Sequence, residues 1–102
     1  MQNPPRVVVV IPTYNEKESL AELVERIHKL PIENLQMIVV DDNSPDGTGA
    51  LADSLSHQFP LRVIHRNAKE GLGKAYIHAF QEITADSANE PAFVIQMDAD
   101  LS

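Results

Sequence analysis

The sequence predicts an α/β protein built on a doubly wound parallel sheet with strand order 3-2-1-4. Two observations carry this. Two wholly apolar runs, at residues 7–11 and 37–40, lack the in-out alternation of a half-exposed strand and read as strands covered on both faces, and two further runs, at 61–64 and 92–97, read as strands. Between them lie segments with helical spacing or turn chemistry, so the chain alternates strand and helix as βαβ units do. Right-handed crossovers then place the fourth strand on the far side of the first, with a switch point between them.

Residues 1–5 read as a disordered lead-in. The first strand, Val-Val-Val-Val-Ile at 7–11, is β-branched throughout and closed by Pro12. The polar stretch Thr13-Tyr14-Asn15-Glu16 follows, and then a stripe of Leu20, Leu23, Val24, Ile27 and Leu30 that marks an amphipathic helix. Asn15 is the expected N-cap, with Glu18 completing a capping box, and Pro31 ends the helix. The second strand, 37–40, runs into Asp41 and Asp42. Residues 43–48, Asn-Ser-Pro-Asp-Gly-Thr, are dense in turn formers. A short helix turns Leu51, Ala52 and Leu55 inward, and the third strand follows at 61–64. A glycine-bearing turn at 69–73 opens a helix with the stripe Leu72, Ala75, Tyr76, Ala79, Phe80 and Ile83. A loop at 86–91 leads to the fourth strand.

The 102 residues suffice for one domain with one core. A net charge of -7 opposes nucleic-acid binding, because phosphate backbones attract Lys and Arg. An acidic protein can still hold a phosphorylated ligand where a metal ion supplies positive charge. The absence of cysteine removes disulfide and thiolate chemistry. No apolar run approaches the ~20 residues needed to span a bilayer, and the N-terminus lacks the apolar segment of a signal peptide. A cytoplasmic location is therefore expected.

The chain ends in Phe93-Val-Ile-Gln-Met-Asp98-Ala-Asp100-Leu-Ser102. Side chains at i and i+2 of an extended segment point the same way, so Asp98 and Asp100 converge at the end of the fourth strand. Two carboxylates in one place call for a cation, and oxygen-only ligands favour Mg²⁺ or Mn²⁺. In the predicted topology the loop at 12–16 and the Asp98/Asp100 pair border one crevice, with Asp41 and Asp42 leaving the neighbouring strand on the same edge. One of these two acids caps the following turn, toward Ser44 and Thr48, and the other faces the crevice; the residues alone do not say which. Tyr14 either stacks on a base or covers the sheet end. Glu16 either meets ligand or favours a helix N-terminus. Gly71-Leu-Gly73-Lys74 lacks phosphate-loop spacing, and its glycines are expected to permit close backbone approach. Arg66 and Lys74 are candidate anion contacts. The four histidines show no metal-ligand spacing, and no catalytic triad or general base is identifiable.

Four segments occur in order: Pro12-Thr-Tyr-Asn-Glu16, Val40-Asp-Asp-Asn-Ser-Pro-Asp-Gly-Thr48, Glu70-Gly-Leu-Gly-Lys-Ala-Tyr-Ile-His78 and Met97-Asp-Ala-Asp-Leu-Ser102. Together they resemble the GT-A glycosyltransferases of family 2, most closely the dolichol-phosphate (polyprenol-phosphate) mannose synthases. The resemblance covers nearly the whole chain from Val7. The first and last segments are shared across much of the superfamily, whereas the middle two are more specific to the polyprenol-phosphate branch.

The resemblance implies transfer of mannose from GDP-mannose to a dolichyl or polyprenyl phosphate, with inversion, at the cytoplasmic face of a membrane. It implies that Pro12, Tyr14 and Glu16 line the nucleotide site and that Val40 and Asp42 contact the nucleoside. It also implies that Asp98 and Asp100 hold the metal, with Ala99 beside the donor. Ala79 stands where relatives often have glycine, and Ser102 where some place a third metal-facing side chain. An acceptor phosphate has a second pKa near ~6 and is already a nucleophile at neutral pH, so a strong protein base is less necessary than for a hydroxyl.

Three other readings share parts of the pattern: a polyprenyl-phosphate glucosyltransferase using UDP-glucose, a nucleotide-binding module without catalysis, and a receiver-like signalling domain suggested by the acids after the second strand. On the resemblance, residues 1–102 are expected to form the N-terminal donor-binding part of a GT-A domain, cut after the fourth strand and inactive alone.

Overall fold

A computed structural model describes residues 6–67, 72–85, 93–97 and 99. Its elements are β1 (Val7–Thr13), α1 (Lys17–His28), β2 (Leu35–Asp41), α2 (Thr48–Ser56), β3 (Leu61–His65), α3 (Leu72–Ala85) and β4 (Phe93–Gln96). The strands form one parallel sheet in the order β3-β2-β1-β4, as the alternation of runs predicts.

Every residue of β1 is buried, because β1 is central and covered on both faces. Its side chains alternate between two cores. Val9 and Ile11 join Met37 and Val39 beneath α1 and α2, with Leu20, Leu23, Val24, Ile27, Ala52 and Leu55. Val8 and Val10 join Ile38, Val40 and Ile64 beneath α3, with Ala79 and Ile83. Helices thus cover both faces, and each fully buried aliphatic side chain contributes about 1.5–3 kcal/mol over an exposed one. Ala79 is fully buried, so a methyl group fits where the resemblance sets glycine.

The structure corrects several local expectations. Strand β1 runs through Pro12 to Thr13, pairing Pro12 with Val40 and Thr13 with Asp41. Proline is tolerated because alternate residues address opposite neighbours. The Val10 carbonyl accepts from Met97 on the β4 side and the Thr13 carbonyl from Asp42 on the β2 side. The missing donor of Pro12 therefore faces the β4 side, where pairing stops at Val10.

Helix α1 is not capped by Asn15. Glu16 occupies the N-cap position without a side-chain cap, and Asn15 adopts a left-handed φ of 56°. Asn34 and Asn43 adopt the same conformation at other strand boundaries, where asparagine tolerates it best after glycine. The helix ends at His28, so Leu30 lies beyond it and is 46% exposed. Gly73 makes no close approach, since a Cβ there would meet nothing within 4 Å. Gly71, residues 1–5 and the side chains of Leu72 and Ala75 lie outside the described structure.

Candidate functional site

The strand order sets the geometry of the carboxyl edge. The loop after β1, which carries Tyr14 and Glu16, lies between the ends of β2 and β4; the Asp42 amide donates to the Thr13 carbonyl at 3.1 Å on the β2 side. Pro12 and Val40 sit side by side in register. The side chain of Val40 is fully buried under α3, and its backbone lies in the ladder between β1 and β3.

The two consecutive acids after β2 have separate tasks. Asp41 is buried and turned into the protein. Its Oδ1 accepts from Thr13 Oγ1 at 2.8 Å and from Ser44 Oγ at 2.6 Å, and its Oδ2 accepts from the Ser44 amide at 3.0 Å. Asp41 therefore ties the end of β1 to the turn after β2. Between the two acids, this is the one that caps the turn; Thr48 is bound by Asp46 instead. Helix α2 rests directly on this arrangement. A Cβ at Gly49 would lie 3.0 Å from Asp41 Oδ2 and 3.2 Å from the His65 ring, so the position admits only glycine without a shift.

Asp42 is also buried, but its partner is Arg66 at the end of β3, with Nε 2.8 Å from Oδ1. The contact is ionic, the N–H lying off the line to the oxygen. Arg66 also donates from Nη1 to the Lys74 carbonyl in the first turn of α3, at 2.8 Å. Its guanidinium is thus turned inward, 10% exposed, instead of reaching out as an anion contact.

Helix α1 supplies the link to β4. Ser19 Oγ donates to the Ala99 carbonyl at 2.5 Å, and Ala99 is buried in the core beneath α1. Asp98 and Asp100, the expected metal ligands, lie outside the described residues, and so does Ser102. The donor set fits a hard divalent ion by its chemistry, two carboxylates and no nitrogen or sulfur. The residue between them is held firmly by its packing and its carbonyl. Among the described residues there is no cluster of three metal-ligating side chains. Beside this link, Asn15, Glu16, Glu18, Ser19 and Asp46 line an open cleft of about 460 Å³.

The Asp46 carboxyl is held below its ordinary value chiefly by the hydrogen bond from the Thr48 hydroxyl; burial opposes this, and the Thr48 and Lys17 amides add lesser downward effects. Sequence reasoning recognised residues 43–48 as a turn but missed that Ser44, Asp46 and Thr48 bind groups about thirty residues earlier. It also missed Thr13 and Ser19 as anchors. No spacing rule announces such contacts, because the partners meet only when β1 lies between β2 and β4.

Comparison with known proteins places these features in context. The profile of "Glycosyl transferase family 2" matches residues 8–102. A dolichol-phosphate mannosyltransferase of Pyrococcus furiosus is 46% identical over 94% of this chain and 26% of its own length. A polyprenol monophosphomannose synthase of Mycolicibacterium smegmatis is 45% identical over 84% of the chain and 37% of its own length. Among solved structures, a mannosyltransferase of Pyrobaculum calidifontis in complex with GDP-mannose and Mn²⁺ superposes with a TM-score of 0.82 at 28% identity, over 96% of this chain and 28% of that one. The chain thus spans between a quarter and two fifths of the length of these relatives.

Proposed function

This chain belongs to glycosyl transferase family 2, and on that premise we propose that the protein carrying it transfers mannose from GDP-mannose to a polyprenyl phosphate. The transfer inverts the sugar carbon and takes place at the cytoplasmic face of a membrane. Among the described residues no helix is long and apolar enough to cross a membrane. The observation that carries the reading is the carboxyl edge itself, where the loop bearing Tyr14 and Glu16 sits between the ends of β2 and β4. The mannosyltransferase relatives, and the fold shared with a protein that holds GDP-mannose and Mn²⁺, support it.

Tyr14 offers a ring for the base, and Asp42 an acceptor for the nucleoside hydroxyls. Pro12, Glu16 and Val40 complete the nucleoside wall, and Ala99 lies beside the sugar. Asp98 and Asp100 would hold Mg²⁺ or Mn²⁺, which when bound neutralises the leaving diphosphate. The incoming phosphate is an anion at neutral pH, so a strong protein base is less necessary than for a hydroxyl acceptor.

The test is incubation of the protein with GDP-mannose, Mn²⁺ and a short polyprenyl phosphate, with UDP-glucose as the competing donor. Polyprenyl-phosphate mannose is the expected product. A glucosyl lipid alone would assign the donor to the UDP-glucose class, and nucleotide binding without any lipid product would leave a binding module.

A further inference from the structure

Helix α1 begins without a side chain of its own to cap it. The first amides of a helix have no intrahelical acceptor and must find one elsewhere. Here the first of them, Lys17, and the two amides before it find acceptors in the turn after β2. The Asn15 amide donates to Ser44 Oγ at 3.0 Å, the Glu16 amide to Thr48 Oγ1 at 3.0 Å, and the Lys17 amide to Asp46 Oδ2 at 3.2 Å. Three successive N–H groups are thus held by three side chains of one five-residue turn.

The turn is itself fixed. Gly47 adopts a φ of 94°, open to glycine, and its backbone brings Asp46 and Thr48 to one side. The Thr48 hydroxyl and amide both donate to Asp46 Oδ1, leaving Oδ2 for Lys17. The Ser44 hydroxyl passes its proton-donor side to Asp41 and its acceptor side to Asn15. Asn15 is kept in the left-handed region, which turns the chain sharply between Tyr14 and Glu16.

We propose that Asp46 and Thr48 are positioning residues for the nucleotide: by fixing the amides of Glu16 and Lys17 they set where Tyr14 and Glu16 stand in the crevice. The role rests on the donor-site reading above. It gives the Ser44-Pro-Asp46-Gly-Thr48 segment a task in binding, although it acts wholly through the neighbouring loop.

The test measures GDP and UDP affinity in Mn²⁺ by calorimetry, with melting temperature followed in parallel, for the native protein and for Asp46→Ala, Thr48→Val and Thr48→Ser. Asp46 is exposed, so Asp46→Ala keeps the fold even where the buried Thr48→Val does not. Asp46→Ala and Thr48→Val are expected to weaken the preferred nucleotide about five- to tenfold, with Thr48→Ser within about twofold of native, since it restores the hydroxyl. Native affinity in a folded Asp46→Ala protein would overturn the positioning role while leaving the nucleotide site intact. A native protein that binds neither nucleotide would instead overturn the donor-site reading itself.

Discussion

Arg66 lies 2.8 Å from Asp42 with both side chains nearly buried, so the acid expected to meet the nucleoside carries its own countercharge from the end of β3. The arginine also grips the first turn of α3 through the Lys74 carbonyl. One residue therefore joins β2, β3 and the helix on the far face, and the setting of Asp42 depends on all three.

Removing either partner deprives the other nearly buried charge of this countercharge. Asp42→Ala or Arg66→Met should each lower stability by about 3 kcal/mol. The double variant should recover much of that loss, because no charge is left stranded. Chemical denaturation of the two single variants and the double one measures this. Strictly additive losses would show that the pair is not coupled.

Asp41 and Asp42 should separate on binding. Asp41→Ala deletes three hydrogen bonds that tie β1 to the turn after β2 and should cost about 3 kcal/mol of stability, with little change in nucleotide affinity per folded molecule. Asp42→Ala should cost affinity as well as stability. Calorimetry at a temperature where both variants are folded distinguishes them, and an affinity loss confined to Asp41→Ala would reverse the assignment.

Ser19→Ala should weaken metal-dependent nucleotide binding about fivefold, the equivalent of one lost hydrogen bond of about 1 kcal/mol. The carbonyl it releases belongs to Ala99, between the two expected metal ligands. In EDTA the native and variant proteins should bind nucleotide alike. Asp98→Asn or Asp100→Asn should show the same dependence on metal, more strongly. An equal loss with and without Mn²⁺ would remove the metal from the account.

The Asp46 carboxyl lies below its ordinary value of 3.8 in the folded protein, chiefly through the Thr48 hydroxyl. A carboxyl depressed by folding stabilises the fold fully above its unfolded value and loses that contribution as the pH falls through its folded value. The contribution of Asp46 should therefore be constant at neutral pH and fade below about pH 4. Asp46→Asn should flatten the acid limb of a melting-temperature profile in that window. An unchanged acid limb would show that the carboxylate contributes nothing through its charge.

The apolar runs determined the sheet by themselves. The two central strands, apolar on both faces, need no partner-specific information to be recognised, and right-handed crossovers leave few ways to order four strands. The carboxyl edge followed from that order, which is why the loop at 12–16 and the Asp41/Asp42 pair could be grouped from the sequence. The tertiary structure alone showed which acid caps the turn and which one pairs with an arginine. Asp41 and Asp42 are the same residue type in adjacent positions, and only the presence of Thr13 and Ser44 around one and Arg66 beside the other separates them. It alone decided the capping of α1 as well. Local pattern pointed to Asn15 and Glu18, but the amides found better acceptors in a turn that reaches them only through the pairing of β1 with β2. Hydrophobic periodicity is written along the chain, whereas a hydrogen bond between residues thirty positions apart exists only once packing has brought them together.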